Sequence, residues 1–488
     1  MKYQWTVLTV TTVGVLMAGL DTSILIVGLP RVAASLHADA EQAVWFTQSY
    51  SLSGTIMLLL MGRITDMFGR LKMYKAGFII FTVGSLLTSL SQNPAEMIVF
   101  RLVQGIGNAS LWTNATAMIT DSTPSKELGF SLGINQVAGR VGMVLGLTVS
   151  GVILLFFDWR FLFYINIPIG IFGIVWAHLR LKDVSTREKG STVDWFGFAT
   201  FSIFLTAILF ALTFAAYGFA ETKSIVVGLL LAGLASFLLF VIQERRTKYP
   251  LIDLKVLRIR EFSASIFSAL LNVISTSSLL LLFSLYLQLV AGQSPFLAGL
   301  SLLPAQFAMI ASSPLSGRLS DRFGRMPFML GGLVMTTAAM FLFTQVNQVT
   351  LYFFVALFLG LFGAGISIFL APNAGWGMGV VPANRRGIAS SLRNLSFNIG
   401  NAVGLSLAVW LITLTVPYDV VSNVVSSGNA SLIPVAYKVA FFSGIRTAYI
   451  WLGVVNIIAI IAVLAGARLR EQRVNETAVE VSGGPAGI

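Results

Sequence analysis

One carboxylate stands in the middle of the first apolar segment of this sequence. Asp21 lies within VGVLMAGLDTSILIVGLP, where a charge costs roughly 2.5–3.5 kcal/mol at the centre of a membrane helix. Arg101 lies in another apolar segment. At about 1.5 Å per helical residue, Arg101 is roughly 10 Å and Asp21 roughly 13 Å from the same membrane surface. Two opposite charges at similar depth can pair.

A buried Asp beside a cation is a candidate site for proton exchange. Burial and a neighbouring positive charge act in opposite directions on the proton affinity of a carboxylate, so the two effects can leave Asp21 able to gain and lose a proton. We expect Asp21 to carry a proton and Arg101 to tune or relay it. The alternative is an ion pair that only joins two helices.

The composition identifies the elements that hold these residues. Of 488 residues, 56% are hydrophobic and 11% are charged, against about 45–50% and about 25% in soluble domains. Fourteen apolar runs of about 18 to 25 residues recur along the chain, each long enough to cross a ~30 Å hydrocarbon core. The sequence therefore predicts an all-α polytopic membrane protein with fourteen transmembrane helices. Because it contains no Cys, disulfides and thiolate metal sites are excluded, and the two His have no partner at metal-ligand spacing.

The basic residues give the orientation. The net charge is +12, and most of the 32 Lys and Arg fall in alternate connecting segments. This asymmetry is the positive-inside rule, and it places both termini in the cytoplasm. Membrane orientation explains the charge better than binding to nucleic acid does. We expect a multi-pass protein of the cell membrane.

An internal repeat divides the chain. GRITDMFGRLK begins at Gly62 and GRLSDRFGRMP begins at Gly317, and each follows the second helix of a six-helix block. We predict a six-helix bundle over residues 1–182, a two-helix insert with flanking linkers over 183–261, a second six-helix bundle over 262–472 and a disordered cytoplasmic tail over 473–488. The insert has no charge in either apolar run, so we expect it to face lipid. Parallel six-helix repeats are typical of the major facilitator architecture, in which substrate binds between the halves.

Five segments, in order, resemble the fourteen-helix drug:proton antiporter family of the major facilitator superfamily: LDTSILIVGLP, RLVQGIGNA, WRFLFYINIPIG, YLQLVAGQSPFLAGLSLLP and APNAGWGMGVVPANRRGIASS. The resemblance covers nearly the full length. It implies multidrug efflux: a proton-coupled secondary active transporter that exports small lipophilic compounds by alternating access. It also implies that the protein is not an enzyme and that it needs no cofactor beyond the proton gradient.

The repeated loop has a role in the resembling family. There it latches the two halves on the cytoplasmic side, so the resemblance implies that Asp66, with Arg63 and Arg70, holds the outward-open state. The conformational gate would comprise Gly62, Arg63, Asp66, Gly69 and Arg70 with their repeats Gly317, Asp321, Gly324 and Arg325. Met67 departs from the basic residue usual in the family. The alternative is an ordinary basic turn.

Helix 5 carries GMVLGLTVSG, which resembles the family's antiporter motif. Leu147 replaces a characteristic proline and Ser150 replaces a glycine, which weakens the argument for export. Gly142, Gly146 and Ser150, followed by Gly151, present small residues on one face. Such a face suits close helix packing, which is the equal alternative.

Polar residues elsewhere in the apolar runs are candidates for the substrate cavity: Gln48, Tyr50, Asn114, Asn135, Gln136, Arg140, Asn394 and Asn398. Side-chain amides can equally be hydrogen-bond contacts between helices, worth about 0.6 kcal/mol each. Since Asp21 is the only acid away from the ends of a run, we expect one proton per cycle and a neutral or monovalent lipophilic substrate. The expected partners are that small molecule, protons and membrane lipids, and we expect a monomer.

Three alternatives stay open at this stage. The same fold serves lipid or metabolite exporters and proton symporters for uptake, and the eroded helix 5 motif favours them. A membrane sensor or enzyme is the third reading. Against it stands the lack of any His or carboxylate cluster in the membrane segments, and no Gly-rich phosphate loop of an ATP-driven pump is present.

Overall fold

Helices account for nearly all of the residues that the structure describes. The computed structural model describes residues 3–124, 128–182, 192–216, 219–247, 250–252, 255–346, 350–382, 386–417, 420 and 435–482, and none of these lies in a β-strand. Fourteen long helices run through the described residues. They are α1 Tyr3–Ser35, α2 Ala40–Phe68, α3 Arg70–Ser89, α4 Pro94–Ser122, α5 Leu128–Phe156, α6 Asn166–Arg180, α7 Trp195–Ala216, α8 Phe219–Arg246, α9 Arg260–Leu285, α10 Leu303–Phe323, α11 Arg325–Phe343, α12 Tyr352–Gly379, α13 Arg386–Thr413 and α14 Val435–Ser482. The short helices Phe161–Tyr164 and Pro295–Ser301 precede α6 and α10, and a π-turn, Tyr286–Val290, follows α9.

Local sequence signals explain where several helices begin. Asp39 caps α2 in a capping box with Gln42, and Asn93 caps α4 directly before Pro94. Such caps satisfy backbone N–H groups that have no partner within the helix. Gly69 and Gly324 separate α2 from α3 and α10 from α11, with φ of 96° and 91°. Only glycine adopts this conformation at little cost, which explains why both copies of the repeat keep it.

Twelve of the described helices are long and apolar enough to cross a membrane. The two that fall short are α2 and α4, because they carry buried polar side chains such as Gln48, Tyr50, Arg101 and Gln104. Polar residues inside a membrane bundle usually face its interior, so the two least apolar helices are those that build a polar site. The predicted fold class is confirmed.

The first six helices and the last six pack in corresponding ways. In the first set α1 lies against α5, and Ser23 Oγ donates to the Met143 carbonyl over 2.7 Å. In the second set α9 lies against α13, and Ser278 Oγ donates to the Gly404 carbonyl over 2.5 Å. Small residues on the facing helices allow this close approach. The predicted domain boundaries themselves remain a prediction.

Contacts between the first and last six helices lie on the side that the positive-inside rule assigns to the exterior. Among the described residues they include the hydrogen bonds Ser284 Oγ to the Ile26 carbonyl (2.9 Å) and Gln48 to Ser406, and the close approach of Gly299 to Leu147 and of Gly151 to Phe296. These contacts close the outer side of the interface between the two sets.

The insert differs in part from the expectation that it faces lipid. Helix α8 exposes apolar side chains such as Leu231 and Leu234. Helix α7, however, packs on α2 and α13, where Phe210 lies 4.6 Å from Trp45 between ring centroids. A helix that is apolar all round can contact protein or lipid equally well, so composition could not distinguish the two surroundings.

The last helix corrects the predicted tail. We expected disorder from residue 473, but α14 continues to Ser482. The segment EQRVNETAVEVS contains no glycine or proline, and its Glu, Gln, Arg and Ala are good helix formers. The helix ends before Gly483, Gly484 and Pro485, where the sequence first breaks the helical pattern. Residues 483–488 lie outside the described residues.

Candidate proton and substrate sites

The buried ion pair predicted from depth is present. Arg101 Nη1 on α4 lies 2.6 Å from Asp21 Oδ2 on α1, and the two side chains are 1% and 0% exposed. Charge-assisted hydrogen bonds of this length are among the strong ones in proteins. The pair therefore links α1 and α4 inside the first six helices, and no described carboxylate other than Asp21 pairs with Arg101.

Two amides complete the surroundings of Asp21. Its Oδ1 accepts hydrogen bonds from Gln104 Nε2 (2.8 Å) and from Asn166 Nδ2 (2.9 Å). Asn166 is held by α6 and also donates to Ser85 Oγ over 3.0 Å. The carboxylate thus accepts hydrogen bonds from three side chains on two neighbouring helices.

Arg101 is held from several sides. Its Nε donates to the Phe46 carbonyl over 3.0 Å, and Nη1 also reaches Gln104 Oε1 at 2.6 Å. The Tyr50 ring centre lies 4.2 Å from the guanidinium carbon, a cation–π geometry. The contacts with Phe46 and Tyr50 do not involve Asp21. The predicted cavity residue Tyr50 therefore lies at the candidate proton site.

One polar atom beside Asp21 has no partner among the described residues: Asn166 Oδ1. A buried polar atom without a hydrogen bond is unfavourable by roughly 1–3 kcal/mol. An unsatisfied acceptor beside a carboxylate is available to a proton that binds there. Asn166 can present that acceptor by rotating its amide, whose oxygen and nitrogen are assigned only from the hydrogen-bond network.

The last six helices contain a neutral cluster on corresponding helices. Asn272 Nδ2 on α9 donates to Asn456 Oδ1 over 2.9 Å, and Asn456 Nδ2 donates to Thr337 Oγ1 over 2.9 Å and to the Leu333 carbonyl over 3.1 Å. All of these side chains are buried. An amide takes the place of the carboxylate, so this cluster cannot bind a proton at physiological pH.

Arg70 of the repeated loop binds within the first six helices, whereas Arg63 binds the segment that precedes α7. Arg70 forms an ion pair with Asp121 and donates to the Ala117 carbonyl over 3.1 Å, and Arg63 donates to the Thr192 carbonyl over 3.3 Å. The side chain of Asp66 lies outside the described residues. These contacts do not involve Asp66, and the gate stays a prediction.

The second copy of the loop behaves in the same way. Arg325 donates to the Gly375 carbonyl over 2.6 Å and lies 3.4 Å from Asp321. A Cβ on Gly62 or Gly317 would meet no atom within 4 Å. Neither glycine is therefore needed for packing in this conformation. Gly69 and Gly324 differ, because their positive φ angles favour glycine whatever the space around them.

The helix 5 residues are packed. A Cβ at Gly142 would overlap the Leu16 carbonyl, and one at Gly146 would overlap Ser23 and the Leu20 carbonyl. Gly151 lies against Phe296 of the segment before α10, and Ser150 is buried. The motif thus joins α5 to α1 and, at its outer end, to the last six helices.

The predicted cavity amides are not assembled into one site. Asn114 donates to the Ser110 carbonyl (2.8 Å) and Asn398 to the Asn394 carbonyl (2.8 Å), each within its own helix. Gln48 bonds Ser406 across the interface. Asn135 is buried with its Nδ2 unpartnered, Arg140 is half-buried, and the side chain of Gln136 lies outside the described residues.

Gln104 and Asn166 were absent from the candidates drawn from the sequence. Gln104 follows Arg101 by three positions, so it shares a helix face with it, and this spacing is a signal that sequence reasoning could have used. Asn166 stands in the segment INIPIG. Its role depends on which helix lies beside α1, and periodicity does not give that information.

The sequence of this chain is similar to those of known membrane transporters. Residues 11–405 and 265–487 match the family described as Major Facilitator Superfamily. Riboflavin transporter RibZ of Clostridioides difficile (strain 630) is 29% identical over 82% of this chain and 88% of its own. Multidrug resistance protein Stp of Mycobacterium tuberculosis (strain CDC 1551 / Oshkosh) is 29% identical over 86% and 78%.

A solved structure shares the fold. It is a bacterial homolog to the human lysosomal transporter Spinster in an inward-facing and unoccupied conformation, with a TM-score of 0.65 at 15% identity over 96% of this chain and 97% of that one. The predicted fold, membrane location and transport class are confirmed, and the expectation that the protein is not an enzyme agrees with the family. This chain belongs to the Major Facilitator Superfamily and is similar to its multidrug exporters.

Proposed function

We propose that this transporter exports small lipophilic compounds in exchange for protons, with Asp21 as the proton carrier. The observation that supports the proposal most directly is the fully buried Asp21–Arg101 pair inside an otherwise apolar bundle. A buried ion pair contributes little to stability compared with apolar residues of similar size. Its presence in the membrane therefore favours a functional role.

The contacts suggest how the proton is exchanged. In its charged form Asp21 accepts from Arg101, Gln104 and Asn166. When it is protonated it must donate one hydrogen bond, and the unpartnered Asn166 Oδ1 is close enough to accept it after an amide rotation. Arg101 then keeps the Phe46 carbonyl and Tyr50, so the proton changes the link between α1 and α4 without freeing the arginine.

This change in the α1–α4 link would bias alternating access. Helix α1 also contacts the last six helices through Ile26 and Ser284. A shift of α1 on protonation would change the contacts that close the outer side. The repeated loop would latch the cytoplasmic side in the outward-open state. We further propose that the transporter works as a monomer and needs no bound cofactor.

Drug accumulation in cells tests the proposal. Cells that lack their own exporters would express either the protein or Asp21→Asn, and they would be loaded with norfloxacin, which bears a carboxylate, or with ethidium, a monocation. We expect lower norfloxacin accumulation with the unmodified protein, reversed by a protonophore. Accumulation that a protonophore does not change would argue against proton coupling.

Uptake is the second candidate function. Leu147 stands where the exporters of the resembling family have a proline, and its carbonyl lies against Gly299. The similarity to a protein named riboflavin transporter is a second reason to keep this alternative. Inverted membrane vesicles distinguish the directions, because an exporter fills them when their interior is acidic and a symporter empties them under the same gradient.

A further inference from the structure

Two hydrogen bonds cross the interface between the first and the last six helices, both on its outer side. Gln48 Nε2 on α2 donates to Ser406 Oγ on α13, and Ser284 Oγ on α9 donates to the Ile26 carbonyl on α1 over 2.9 Å. The side chains of Gln48, Ser406 and Ser284 are at most 3% exposed. Because water does not compete with a buried hydrogen bond, such bonds can hold two helix surfaces together.

One turn of α2 connects the Gln48 bond with the proton site. Arg101 is held by the Phe46 carbonyl (3.0 Å) and by the Tyr50 ring, whose centre lies 4.2 Å from the guanidinium carbon. Phe46 and Tyr50 are four positions apart and share a helix face, whereas Gln48 lies between them, about 200° around the helix axis. Helix α2 therefore contacts Arg101 with one face and Ser406 with the other, and it packs against both α4 and α13.

Helix α1 connects the second bond with the same ion pair. Asp21, which accepts from Arg101 over 2.6 Å, lies five positions before Ile26 on α1. Arg101 thus contacts both helices of the first set that carry a hydrogen bond across the interface, α1 through Asp21 and α2 through Phe46. A proton on Asp21 removes the charge at one end of this connection, so the position of α1 relative to α2 can change.

The Gln48 amide suits a contact that must break in every transport cycle. Its Oε1 has no partner among the described residues, so the closed interface leaves one polar atom buried and unsatisfied. Such an atom is unfavourable by at least as much as one hydrogen bond contributes, and opening the outer side would let water reach it. The bond to Ser406 and the unsatisfied Oε1 therefore oppose each other, and a small displacement of α2 is enough to favour the open state.

We propose that Gln48 is a positioning residue of the outer gate. Its hydrogen bond to Ser406 holds the outer side closed, and the charge of Asp21 acts on this bond through Arg101 and α2. The first part concerns the gate alone. The second part rests on the proposed function, because it takes Asp21 as the group that carries the proton. Gln48 was expected in the substrate cavity, and its contact with α13 gives it a role in the conformational change instead.

The distance between two spin labels on the outer side reports whether this gate is open. The chain contains no Cys, so labels attach only where Arg31→Cys and Ala291→Cys introduce one. Both positions are exposed, one near the outer end of α1 and the other directly after the π-turn that follows α9. The measured quantity is the ratio of the open to the closed distance population, in the full-length protein in lipid nanodiscs.

Removing the acceptor should open the gate. We expect Ser406→Ala to raise the ratio of open to closed protein about fivefold or more, because the closed state then buries an amide without a partner. Adding Gln48→Leu should lower the ratio again, since it removes the unsatisfied amide. Ser396→Ala is the matched control and should leave the ratio unchanged, because this buried serine of α13 donates to the Ile266 carbonyl (3.4 Å) within the last six helices.

Asp21→Asn tests the connection to the proton site. It should change the ratio in the otherwise unmodified labelled protein, and it should change it at least about threefold less in the Ser406→Ala variant, where the bond that receives the effect is missing. If Asp21→Asn does not fold, the double variant Asp21→Asn, Arg101→Gln, which removes both charges, takes its place in the same comparison.

The role of Gln48 in the gate is wrong if Ser406→Ala leaves the ratio unchanged or lowers it, or if Gln48→Leu adds to its effect. The connection to the proton site is wrong if neutralising Asp21 changes the ratio equally with and without Ser406, or does not change it. Failure of the proposed function has a different signature. Norfloxacin accumulation by Asp21→Asn that still follows the pH gradient would overturn the proton-carrier role, while the effect of Ser406→Ala on the ratio would persist.

Discussion

Replacing Asp21 with asparagine tests the assignment of the proton site most directly. The substitution keeps the shape of the side chain and its contacts with Gln104 and Asn166 but removes the charge that faces Arg101. If Asp21 is the proton carrier, the variant binds substrate and changes conformation but cannot couple these steps to a proton. We expect facilitated diffusion without accumulation.

The size of the effect follows from a stoichiometry of one proton. A pH difference of one unit supplies about 1.4 kcal/mol and a potential of 100 mV about 2.3 kcal/mol, which together sustain a concentration ratio of about 500 for a substrate without net charge. Norfloxacin as a zwitterion meets that condition. In inverted vesicles the unmodified protein should approach this ratio, and Asp21→Asn should give a ratio near one.

Stability must be separated from coupling. Removing one partner of a buried pair can destabilise a protein by about 3–5 kcal/mol, because the other charge is left uncompensated. The double variant Asp21→Asn, Arg101→Gln removes both charges and should recover thermal stability without recovering accumulation. Norfloxacin accumulation by Asp21→Asn that still follows the imposed pH gradient would refute the assignment of Asp21.

Three further outcomes are expected. Gly146→Ala should lower the unfolding temperature, at a cost of about 1–3 kcal/mol, because even a Cβ there overlaps α1. Gly62→Ala is the matched control and should not lower it, because no atom lies within 4 Å of a Cβ at that position. Asn272→Asp places a buried acid beside Asn456, where no described cation balances its charge. Because the ionised form is then unfavourable, thermal unfolding should occur at a clearly lower temperature at pH 8 than at pH 5. Equal temperatures would contradict the neutral role of that cluster. Exchange of one zwitterionic norfloxacin molecule for one proton moves one charge per cycle, so a valinomycin-imposed potential of 100 mV should drive export by about 2.3 kcal/mol; export that does not respond to the potential would contradict a stoichiometry of one proton.

The sequence was sufficient to predict the Asp21–Arg101 contact because helix rise and loop charges fix the depth of each residue independently of the tertiary structure. It was not sufficient to identify Asn166, since that assignment requires knowing that α6 lies beside α1. The amides of α13 illustrate the opposite error. Asn394 and Asn398 share a helix face as predicted, yet Asn398 donates its hydrogen bond to its own helix and not to a neighbouring one.

The insert and the tail were misjudged for different physical reasons. Phe210 and its neighbours on α7 contact protein where lipid was expected, because leucine and phenylalanine pack equally well against either. The tail was judged from polarity, but helix propensity decides the local conformation of a segment that lacks glycine and proline.

The position of α7 has a consequence for how a lipophilic compound reaches the interior. Its buried side chains Phe201, Leu205 and Leu209 form one apolar cluster with Trp45 of α2 and Leu395 of α13. These contacts separate the seam between α2 and α13 from the bilayer. A compound dissolved in the bilayer therefore meets the insert before it meets this part of the interface between the two sets of six helices.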